Sequence, residues 1–66
     1  MRTMKINSEK IKKELKRLRV TQEEFADSIG MTRQGFGQIL KRKKTTFARL
    51  NQIATTLDMD AKDLLL

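Results

Sequence analysis

Ile11, Leu15 and Leu18 recur at i, i+4 and i+7 with Lys and Arg at most positions between them. Residues 8–19 are therefore predicted to form an amphipathic helix, capped by Asn7 or Ser8. Thr21-Gln22-Glu23-Glu24 then fits a capping box, in which the threonine oxygen takes one orphan N–H and Glu24 reaches back to another. A second helix should start at Gln22, bury Phe25, Ala26 and Ile29, and stop at Ile29, because Gly30 can adopt a left-handed conformation without steric cost. Thr32 is the next cap, and Phe36, Ile39 and Leu40 mark the buried face of a third helix from Arg33 to Lys41. Thr46 caps a fourth, with Phe47, Leu50, Ile53, Ala54 and Leu57 as a continuous apolar stripe, and Asp60 caps a short fifth from Ala61 that bears Leu64 and Leu65. The pattern predicts an all-α domain of five helices over residues 1–66, with residues 1–6 as an N-terminal arm.

Composition narrows the chemistry. Sixty-six residues allow one small core, and the absence of cysteine and histidine removes disulfides, zinc fingers, thiol nucleophiles and imidazole acid-base catalysis. No apolar run approaches a membrane span, and no apolar stretch follows the basic residues at the start, so a soluble cytoplasmic chain is expected. Proline is absent and glycine occurs only at positions 30, 35 and 37, which favours helix.

Fifteen basic residues against eight acidic ones give a net charge of +7, which on a body this small points to a polyanionic partner. The charge falls in blocks: +6 over residues 1–20, −2 over 21–40, +5 over 41–50 and −2 over 51–66. Helices two and three are separated only by Gly30, Met31 and Thr32, a turn suited to the sharp crossing of a helix-turn-helix spanning residues 22–41. At 100° per residue, Gln34, Gln38 and Lys41 lie roughly opposite the Phe36/Ile39/Leu40 face, with Gly37 near them and Arg33 at the flank. Gln can pair with adenine N6 and N7, and Arg with guanine O6 and N7, while the surrounding cations suit phosphates. Exposed glutamine is common on any solvated helix face; what singles these two out is their place on a helix after a tight turn in a basic domain. Gly35 and Gly37 each cost about 1 kcal/mol relative to Ala inside a helix. Close approach to DNA is expected to account for Gly37, and packing against helix two for Gly35.

Gln22, Ala26, Gly30, Phe36 and Ile39 occupy the first, fifth, ninth, fifteenth and eighteenth places of a twenty-residue pattern. In this the chain resembles the Cro and lambda-repressor-like helix-turn-helix domains of the xenobiotic-response-element type, and the resemblance covers about residues 8–65. It implies a compact lambda-repressor-like domain of prokaryotic or phage origin. The implied function is a sequence-specific, double-stranded-DNA-binding transcriptional regulator, a Cro-like repressor that binds a palindromic operator. Gln22 would hold a phosphate and Arg33, Gln34 and Gln38 would approach base edges. The run Lys41, Arg42, Lys43 and Lys44, with Thr46 at the start of helix four, is assigned to phosphates. The chain departs from the family in three ways. Phe36 is bulkier than the Val or Ile usual at its place, which can tilt the third helix; Leu15 and Leu40 replace a frequent Arg and Glu pair; and the length leaves no room for a separate oligomerisation domain. Dimer contacts are placed on Leu64, Leu65 and Leu66, since one helical face cannot bury all three, and pairing is expected only on the operator if the interface is small.

Other functions fit less well. An antitoxin-type interaction module that autoregulates through the same helix-turn-helix is the alternative, and it lacks a visible partner-binding extension. A membrane-surface peptide would not need cores and caps, and an RNA-binding module would want stacking aromatics, whereas the chain has no Trp or Tyr and three Phe at core spacing. No constellation supports an enzyme, a metal site, a cofactor or a small-molecule ligand.

Overall fold

A computed structural model describes residues 3–66; the first two positions of the expected 1–6 arm lie outside the described residues. Among those described, the order is β1 (Thr3–Lys5), α1 (Ser8–Arg17), α2 (Gln22–Ser28), α3 (Arg33–Arg42), β2 (Lys44–Thr46), α4 (Phe47–Thr56) and a 3-10 turn (Ala61–Leu64). The expected five-helix, all-α domain is therefore corrected to four α-helices and a two-stranded antiparallel sheet.

Both ends of the predicted pattern depart, for local reasons. Residues of the arm alternate exposed and inward, with Met4 half-buried and Ile6 fully buried, and they pair Thr3 with Thr46, Met4 with Thr45 and Lys5 with Lys44. The β-branched Thr45 and Thr46 suit that strand better than a helical lead-in. The expected fifth helix closes as a single 3-10 turn because Asp60 makes no side-chain cap bond and Leu65 is extended (φ −79°, ψ 149°). Leu65 instead pairs with Ile6 in an antiparallel bridge, with Asn7 N–H donating to the Leu64 carbonyl at 2.7 Å and Leu66 N–H to the Lys5 carbonyl at 3.2 Å.

The four α-helices start and stop where their side chains dictate. Asn7, Thr21, Thr32 and Thr46 each accept a backbone N–H from three residues on, and Thr21 with Glu24 forms the full capping box. Three of the helices end in Schellman motifs: Val20, Met31 and Met59 donate to the carbonyls of Leu15, Ala26 and Ala54 and pack against the core. The left-handed residue at those ends is Arg19, Gly30 or Asp58.

Ile6, Ile11, Leu15, Phe25, Phe36, Leu40, Leu50 and Ile53 lie in one buried cluster that draws on every helix. Leu15 and Leu40 are both inside it. The bulky Phe36 packs on Phe25 with ring centroids 5.1 Å apart and planes at 41°, joining α3 to α2. Phe47 is a correction: it was expected in the α4 stripe and is 56% exposed. It is the first residue of the helix and lies about 70° from the centre of the Leu50/Ile53/Ala54/Leu57 face, at the margin of the stripe. No helix among the described residues is long and apolar enough to cross a membrane.

Candidate nucleic-acid interface

Helix α3 owes its exposure to how little of it the core uses. Phe36 and Leu40 are buried and Ile39 is half-buried, while Arg33, Gln34, Gln38, Lys41 and Arg42 stand in solvent. The helix is held at both ends. Thr32 Oγ1 accepts the Gly35 N–H at 3.0 Å at its start. Near its end, where the Leu40 carbonyl has no helical partner, the buried Ser8 hydroxyl donates to it at 2.8 Å. Lys43 then turns left-handed (φ 59°), and its carbonyl accepts the Ile6 N–H at 2.9 Å, fastening the exit of α3 to the arm.

The neighbouring helix is fixed by contacts that the apolar pattern could not reveal. From α4, Arg49 Nη1 and Gln52 Nε2 both donate to the Ile29 carbonyl, at 3.2 and 3.0 Å, and Arg49 also donates to Gln52 Oε1 at 2.8 Å. Two polar side chains one turn apart thus cap α2 from outside. Ser8, Arg49 and Gln52 carry no sequence signal for this work beyond being polar residues next to an apolar face.

The expected DNA-contacting residues line three depressions, except Lys43, which is exposed and lines none of them. Gln34, Gly37, Gln38, Lys41 and Arg42 line the first, along the outer side of α3. Gln38 and Arg42 also line a groove between α3 and the sheet, where they meet Lys44 and Thr46. Arg33 shares a third with Gln22, Thr21 and Glu23, so the structure brings Arg33 beside the start of α2 rather than among the glutamines. Glu23 puts a carboxylate in that third depression, which weakens it as a phosphate seat.

Thr46 spends its acceptor on the Arg49 N–H at 3.3 Å and keeps its hydroxyl proton for a further partner. Of the ion pairs among the described residues, Lys12–Glu9, Arg17–Glu14 and Lys62–Asp60, none involves Arg33, Lys41, Arg42, Lys43 or Lys44.

The two glycines of α3 differ. A Cβ at Gly37 would meet nothing within 4 Å. One at Gly35 would approach Thr32 Oγ1 at 3.2 Å and Met31 Cε at 3.4 Å, so Gly35 packs against the turn before α3 and not, as expected, against helix two. The leucine end is corrected as well. Leu64 is fully buried in its own core and leaves the expected dimer surface; Leu65 is half-buried on the bridge to Ile6, and Leu66 is 74% exposed. No family model, curated protein or solved structure matches the chain.

Proposed function

We propose that the chain is a sequence-specific double-stranded-DNA-binding regulator that presents α3 to the major groove. One observation carries this reading. The outer face of α3 offers two amide side chains, a glycine and two cations with no acid among them and no ion pair, on a helix anchored at both ends. Amides distinguish bases by paired hydrogen bonds and cations hold the phosphates on either side, so such a face can both read and grip. The resemblance of the Gln22 to Ile39 pattern to Cro and lambda-repressor-like domains supports the same role, as does the short turn between α2 and α3.

In this reading Gln34 and Gln38 read bases. Lys41, Arg42, Lys44 and Thr46 hold phosphates next to them, Gln22 and Arg33 serve the neighbouring backbone, and Lys43 adds charge. A Cro-like repressor acts as a two-fold dimer on a palindrome, and Leu66, the most exposed large apolar residue among those described, is the part of the expected leucine surface left to meet a symmetry mate.

Titration of a preferred duplex and a scrambled one with Gln34→Ala and Gln38→Ala tests the assignment. Each substitution should cost on the order of 1 to 3 kcal/mol on the preferred duplex and little on the scrambled one. Equal weakening on both duplexes would assign these residues to the backbone instead.

A further inference from the structure

The N-terminal arm forms one strand of a sheet whose outer face carries two threonine hydroxyls and two lysines. Register places Thr3 opposite Thr46 and Lys5 opposite Lys44 on that face, with Met4 and Thr45 turned inward. The Ile6 N–H to Lys43 carbonyl bond marks the neighbouring 6–43 position as a hydrogen-bonded one. Since such positions alternate, Lys5 and Lys44 form the closer kind of pair, with Cα atoms about 4.5 Å apart. Two like charges directly opposite each other destabilise a sheet. Neither lysine takes part in an ion pair among the described residues. The same face borders the groove in which Thr3, Lys44 and Thr46 meet Gln38 and Arg42 of α3.

We infer that the outer face of the β1–β2 sheet is a second phosphate-binding surface, in which Lys5 and Lys44 together clamp the DNA backbone beside the stretch that α3 reads, with Thr3 and Thr46 as neutral donors. This rests on the reading of α3 as a DNA-binding helix and adds the arm to it. A phosphate between the two ammonium groups converts their repulsion into two attractions, so the strand pair gains most when DNA is bound. It also couples the arm to recognition, because Lys43 and Lys44, which lead out of α3, are held by Ile6 and Lys5 of the arm.

The double substitution Lys5→Gln/Lys44→Gln should lower affinity on the order of tenfold for preferred and scrambled duplexes alike, and flatten the log-log salt slope by about one per lysine. The control Lys12→Gln/Lys62→Gln removes the same charge from residues already paired with Glu9 and Asp60, and should change affinity less. An equal loss in the control would overturn the clamp in favour of a general field effect. Lys5→Glu gives a sharper signature: an attractive pair with Lys44 raises the melting temperature of the free protein while duplex affinity falls. A raised melting temperature with unchanged affinity would also overturn the clamp.

Amide shifts on titration with inorganic tripolyphosphate separate this inference from the functional reading. Shifts at Lys5 and Lys44 that vanish in the double variant, in a chain that binds no duplex, would keep the anion site and refute DNA recognition. Duplex binding unaffected by the double variant would refute the sheet site, and with it the phosphate role of Lys44, and leave base reading by Gln34 and Gln38 intact.

Discussion

Gly37 occupies an interior position of α3 where a methyl group would touch nothing, and no positive φ requires a glycine there. Its presence therefore lowers stability without a structural return, by about 1 kcal/mol relative to alanine. If the backbone at Gly37 comes close to a DNA groove, Gly37→Ala should raise the melting temperature by roughly 4 to 8 °C and weaken duplex binding. Opposite signs in the two measurements are the expected outcome; a stabilised variant that binds as well as the parent would remove the glycine from the interface. Gly30 is the counterexample in the same motif. It also has open space around it, but its φ is +71°, so Gly30→Ala should cost about 1 kcal/mol through the backbone alone. Arg19 stands at the equivalent left-handed place after α1 with φ 58°, and Arg19→Gly should gain a similar amount; thermal melts of the two variants check the pair of signs.

Among the elements, the four α-helices were legible because their caps and apolar spacing agree. Thr21 with Glu24, Thr32 and Thr46 announce helix starts, and Phe25, Ala26, Phe36, Leu40, Leu50 and Ile53 lie where a 3.6-residue period puts them. The two strands were not legible, since three residues give no measurable period-two pattern and Thr3–Lys5 pairs with a segment some forty positions away. Basic residues at 41–44 read as one run, whereas the left-handed Lys43 divides them between the last turn of α3 and the sheet. The short C-terminal turn was placed correctly but given the wrong geometry, because nothing in Asp60 to Leu65 distinguishes a frayed α-helix from a 3-10 turn closed by a β-bridge. Within the site, helical phase was enough to put Gln34, Gly37, Gln38 and Lys41 together, whereas Arg42 was read only as part of the basic run and Arg33, read at the flank of this face, lies beside the start of α2. The supports from Ser8, Arg49 and Gln52 depend on how the helices meet and become visible only in the fold.

Over the whole molecule, most cations outside any ion pair among the described residues lie in two places, at the end of α3 with the adjoining sheet (Lys5, Lys41, Arg42, Lys43, Lys44) and on or just after α1 (Lys10, Lys13, Lys16, Arg19), while the acids that are paired lie on α1 and at Asp60. An excess of +7 attracts a polyanion and would make binding strongly salt-dependent. Pairing of two copies would rest on a small apolar contact at Leu66. Leu66→Asp should accordingly leave the melting temperature of the free protein almost unchanged while reducing affinity for a two-half-site duplex, and sedimentation with that duplex would show whether the two-to-one complex is lost. An unchanged complex would move the dimer contact to another surface. Sequence reading by α3 is decided by selecting bound duplexes from a random pool with the intact chain. The expected result is an enriched motif of two inverted half-sites centred about 34 Å apart, one turn of DNA. A bound pool with the same sequence composition as the starting pool would contradict it.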